Sequence, residues 1–124
     1  MLVDLRHLAH LRTGDKGNTI NIAVIAYHPE LVQRLIAEVT VDAVLAFYNG
    51  AVTGPGRRFV VPSLGVINLV LDGALGGGVS RTLRLDQFGK SLGAALLGFK
   101  VEVDDALVPL MRGQHLLRAP SQPT

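Results

Sequence analysis

Cysteine and tryptophan are both missing from this 124-residue chain, and aromatic residues of every kind make up only 5% of it. Without cysteine there are no disulfides, no thiol catalysis and no thiolate metal sites, and the composition fits a reducing compartment. Nucleic acid is disfavoured as a partner. A phosphate-tracking surface needs a basic stripe interleaved with aromatic platforms, and 12 Lys plus Arg stand against 10 Asp plus Glu here. The pI near 9.4 adds little, because few groups titrate between neutrality and that value. Long apolar runs are absent as well. Ile22 to Tyr27 and Val66 to Leu71 fall far short of the ~20 residues that a membrane-spanning helix needs. Met1 to His7 lack a basic leader followed by an apolar stretch, so no secretory signal and a cytoplasmic location are expected. What is abundant is apolar character: mean hydropathy is +0.36 with only 18% charged residues. With no membrane segment to absorb it, self-association or a protein partner is expected to cover part of that surface. The length suits one core and leaves no room for two.

Along the chain, Leu2 to Leu11 reads as a strand that gives way to a loop at Thr13-Gly14-Asp15-Lys16-Gly17-Asn18. Ile20, Ile22, Val24 and Ala26 share one side of a two-residue period, which predicts a second strand. Pro29 suits a first helical turn, and Leu31, Val32, Leu35, Ile36 and Val39 recur at helical spacing. Thr40 or Asp42 can cap a second helix from Val41 to Tyr48, closed by Asn49-Gly50. Arg57 to Val61 returns to strand composition. Val66 to Leu71 fits either a buried strand or a short buried helix. Val79 to Leu85 reads as a strand, Asp86 as the cap of a helix through Leu97, and Phe99 to Val103 as a last short strand. Residues 104–124 read as a partly disordered C-terminal arm. Strands interleaved with helices on one sheet predict an α+β sandwich.

Two stretches have the chemistry of a binding site. In the first, Gly14 and Gly17 bracket Asp15 and Lys16, with Arg12 before them and Asn18 and Asn21 after. A loop of this kind wraps a carboxylate or phosphate in backbone N–H groups while Lys16 neutralises it; a tight turn uses the same residues. The second runs from Asn68 through Gly76, Gly77 and Gly78 to Arg81. Consecutive glycines admit a close backbone approach by a ligand or another chain, and Arg81 can clamp a carboxylate, although a plain flexible connection reads the same way. Asn68 lies inside an apolar run, where a buried amide must find partners. His7 and His10 would fall on opposite faces of a strand, so no metal site and no cofactor are expected. His10 with Asp15 and Lys16 is the one weak set for acid–base work.

Taken in order, Gly14-Asp15-Lys16-Gly17-Asn18, Asn21-Ile22, Leu64-Gly65, Asn68, Gly73-Ala74-Leu75-Gly76-Gly77-Gly78, Ser80-Arg81, Asp86 and Gly89-Lys90 resemble the small domain of the acyclic terpene utilization protein A (AtuA) family, over roughly residues 2–103. The resemblance implies a ferredoxin-like two-layer sandwich, a mainly antiparallel four-stranded sheet with helices on one face. It implies bacterial breakdown of branched acyl-CoA compounds derived from acyclic terpenes. It also implies a small accessory subunit beside a large AtuA-like chain, helping to form an acyl-CoA or carboxylate site. It carries no catalytic residues with it. Two other readings stand beside this one: a self-sufficient hydratase or lyase using His10, Asp15 and Lys16, and a homo-oligomeric binding module without catalysis. The surplus apolar surface is assigned to an interface that includes the open face of the sheet and Leu107 to Met111.

Overall fold

A computed structural model describes residues 1–73 and 92–113. Eight regular elements follow one another within those limits: β1 (Leu2–Asp4), β2 (Ala9–Lys16), β3 (Thr19–Ala26), α1 (Val32–Glu38), α2 (Val41–Tyr48), β4 (Gly56–Val61), β5 (Val66–Leu71) and β6 (Lys100–Glu102), joined in places by short 3-10 turns. A helical stretch at 92–96 precedes β6. The four longer strands make one antiparallel sheet in the order β2-β3-β5-β4, while β1 and β6 form a separate antiparallel pair. From β3 onward the order strand, helices, strand, strand, helical stretch, strand is that of a ferredoxin-like domain. The sheet position beside β3 is filled by β2, and β6 pairs with β1 instead.

Local chemistry accounts for the elements. Pro29 opens the first helical turn, and the Thr40 hydroxyl accepts a hydrogen bond from the Ala43 N–H at the start of α2. Asn49, in the left-handed region at φ 48°, closes that helix. Val66 to Leu71 is a strand, because every second side chain, Ile67, Leu69 and Leu71, is buried while the intervening ones are not.

The same alternation divides the sheet into two unlike faces. Ile20, Ile22 and Val24 of β3 join Ile67, Leu69 and Leu71 of β5 in a single core with Leu31, Leu35 and Val44 from the helices. Arg58, on that face of β4, donates from Nη1 to the carbonyls of Ile36 and Val39 at the end of α1, at 2.7 and 2.9 Å. A Cβ placed on Gly56, also on that face, would press on Val41 of α2. Gly93 of the helical stretch lies against Thr13, again on that side. All the helical segments described thus share one face, and the other is left without them.

Three expectations change. The Leu2 to Leu11 strand is broken by a 3-10 turn at Leu5–His7, which lets β1 leave for β6 while β2 enters the large sheet. The expected loop at Thr13 to Asn18 is strand as far as Lys16, and only Gly17 and Asn18 form the turn, with Lys16 opposite Thr19. Gly17 takes φ +63°, the conformation a two-residue hairpin wants in its first central residue. Leu107 to Met111 are not interface surplus. Leu107, Val108 and Leu110 pack on the core and Met111 is buried in it, and the next residue, Arg112, exchanges hydrogen bonds with His7: its N–H reaches the His7 carbonyl, and its carbonyl accepts from the ring Nδ1 at 2.8 Å. The strand expected at Val79 to Leu85, the Asp86 cap and the end of the C-terminal arm lie outside the described residues.

Candidate functional site

The face of the sheet that none of the described helices covers is where the sequence-derived candidates meet. Cross-strand register puts Arg12, Ala23, Asn68 and Phe59 in one row, Gly14, Asn21, Val70 and Arg57 in the next, and His10, Ile25, Val66 and Val61 on the other side. Side chains two apart along a strand share a face, so these rows form one surface. A concavity of ≈ 410 Å³ runs across it, lined by Arg12, Gly14, Asn21, Ala23, Asn68, Phe59, Val61 and Val66 among others. Its lining combines apolar, amide, aromatic and cationic side chains. Phe59 is 51% exposed and Val61 42%, and Leu64, in the turn between β4 and β5, is 71% exposed.

Asn68 sits in the middle of this face. Its Oδ1 is closed off from solvent and has no hydrogen-bond partner, which for a carbonyl acceptor costs about 1–3 kcal/mol. The same face carries three cations: Arg12 and Lys16 on β2 and Arg57 on β4 fall on its alternation, and none pairs with a carboxylate among the described residues. The one carboxylate at the end of the same rows, Asp72, accepts from the Thr19 hydroxyl at 2.7 Å.

Arg12, Gly14, Asn21 and Asn68 therefore come together, from three strands. Lys16 shares their face at the hairpin end. Gly17 and Asn18 form the turn itself, and Asp15 alternates to the helix side. With Gly14 to Lys16 paired to β3, the segment is not a loop wrapping an anion in its amides; its contribution is a side-chain surface. Gly76, Gly77, Gly78 and Arg81 lie outside the described residues. The set of His10, Asp15 and Lys16 is not assembled. Asp15 is on the opposite face from His10, and Lys16 is six residues further along an extended strand, about 20 Å away.

His10 instead borders a second concavity of ≈ 370 Å³ with Arg6, Thr13, Tyr27 and Gly93. Its ring stacks on Tyr27, with centroids 5.7 Å apart, and the Arg112 guanidinium lies 4.4 Å from the Tyr27 ring centre. Among the described residues no group of three His, Asp or Glu side chains could hold a metal. No helix there is long and apolar enough to cross a membrane.

Sequence reading missed Arg57, Phe59, Val61 and Val66 as neighbours of Arg12 and Asn68. The alternation of Arg57, Phe59 and Val61 was visible, but that β5 would sit between β4 and β3 was not.

A family model described as the AtuA ferredoxin-like domain matches residues 3–102. No curated protein and no solved structure matches.

Proposed function

This chain belongs to the AtuA ferredoxin-like domain family, and from that premise we propose that it is a small accessory subunit that works beside a large AtuA-like chain in the breakdown of branched acyl-CoA compounds from acyclic terpenes. The observation that carries the reading is the open face of the sheet. The described helices cover only one side of the sheet and leave an apolar surface edged by Phe59, Val61 and Leu64, and such a patch is normally covered by a partner. Cations on the same face that pair with no carboxylate among the described residues suit an anionic acyl-CoA or carboxylate held between the two chains. The reading of a self-sufficient hydratase or lyase loses its support, because its three residues do not share a site.

Co-expression with a large AtuA-like chain tests the proposal. The two should co-purify at a fixed ratio, and changing Val61 and Leu64 together to Asp should release the small chain without unfolding it. A small chain that elutes alone beside the large one at micromolar concentration overturns it.

A further inference from the structure

We infer that the concavity around Asn68 binds, on this chain alone, a small anionic ligand that also carries a secondary amide or a hydroxyl. The inference rests on the reading above that the open face forms a ligand site, and adds which chemistry that site selects. An Asn amide offers an acceptor and a donor side by side, so whichever way it is turned its complement is a group that does both. A hydroxyl is such a group, and a secondary amide meets one side of it at a time, its N–H to the acceptor or its C=O to the donor; a bare carboxylate has no donor for Oδ1. Asn68 Oδ1 is buried without a partner in the centre of the open face, and the chain's own neighbours in its row, Ala23 and Phe59, offer it no side-chain hydrogen bond. Arg12 lies two strands away in the same row, about 10 Å at sheet spacing, and Arg57 lies one row along. The polar centre and the anion clamp are therefore separated by the length of a short ligand segment. Ala23, Val66 and Phe59 supply the apolar bed between and beside them. Like charge at Arg12, Lys16 and Arg57 disfavours a second copy of this face as the occupant.

Two ligand sources share this chemistry: the amide arm of a coenzyme A thioester with its phosphates, and a free branched hydroxy acid. Isothermal titration of the whole chain with four probes separates them. Pantetheine and coenzyme A differ in the anion; isovalerate and β-hydroxyisovalerate differ in the hydroxyl. The site should favour the second member of at least one pair tenfold or more, and the pair that responds identifies the source. Asn68→Leu should lower that affinity at least tenfold while melting no lower than wild type, since it removes an unpaired acceptor. Arg12→Gln, an exposed change on an edge strand, should weaken binding and flatten its salt dependence. Failure of all four probes to bind, equal binding within both pairs, or Asn68→Leu binding like wild type would overturn the inference. Capture by the large chain is read in a separate assay, so the loss of one result leaves the other standing.

Discussion

The Tyr48 hydroxyl on α2 donates to the main-chain carbonyl of Leu92 at 2.6 Å, joining the first helical pair to the helical stretch that leads into β6. Both residues are buried, so the bond is the polar seam between two parts of the helical layer. Phe47, next to Tyr48, packs edge-on against Phe99 at 5.7 Å and continues the same contact.

Burial pushes the Tyr48 hydroxyl above its ordinary range, which fixes the sign of a pH effect. The folded chain keeps the proton where the unfolded chain loses it, so the unfolded state binds fewer protons above about pH 10 and stability falls as pH rises. Urea unfolding of wild type should lose up to about 1.4 kcal/mol per pH unit above that point from this one group. Tyr48→Phe should remove that slope, and should cost about 1–3 kcal/mol at neutral pH by leaving the Leu92 carbonyl unpaired.

Arg58 is a cation aimed at the carbonyl end of α1, where the helix dipole and unpaired oxygens both favour it. Arg58→Met should fill the same space while leaving the Ile36 and Val39 carbonyls without their donor. The expected loss is about 1.5–3 kcal/mol, read as a lower urea midpoint with an unchanged slope. A midpoint equal to wild type would mean that water replaces the guanidinium without cost.

Gly93 is held in place by Thr13. Alanine in a helix normally gains about 1 kcal/mol over glycine, but a Cβ on Gly93 would overlap the Thr13 methyl group. Gly93→Ala should therefore destabilise wild type. With Thr13→Ala the nearest remaining atom is the Cβ of residue 13, at an ordinary 3.6 Å, and the helix gain should return. A double-mutant cycle should give a coupling of about 1 kcal/mol or more; additivity would place Thr13 free to rotate away.

The helices and strands were legible because each is set by neighbours in sequence: Pro29 and Thr40 start helices, Asn49 ends one, and Ile67, Leu69 and Leu71 alternate. The hairpin at Gly17-Asn18 was legible too, since two such residues between alternating runs are a hairpin signal, but the surrounding charges drew attention to a ligand loop instead. What could not be read was pairing between distant segments. Nothing near Phe59 states that Asn68 lies beside it, or that β6 returns to β1 rather than to the sheet. Leu107 to Met111 failed for the same reason: an apolar cluster looks alike whether it covers its own core or a partner's surface.

Gly14 brings the stability of the sheet and the candidate site into opposition. It occupies the interior of an edge strand, where glycine is unfavourable, and its φ is not in the left-handed region. A Cβ there would meet nothing within 4 Å, so neither backbone nor packing requires glycine. Gly14→Val should raise stability by about 0.5–1 kcal/mol through strand propensity alone. The same side chain would project into the concavity between Arg12 and Asn21. If that space holds a ligand, the more stable variant should bind the responding probe at least tenfold more weakly, a trade expected where a residue is kept for function. Calorimetry and titration on one preparation decide it: higher melting with undiminished binding would show that the glycine is not there for the ligand.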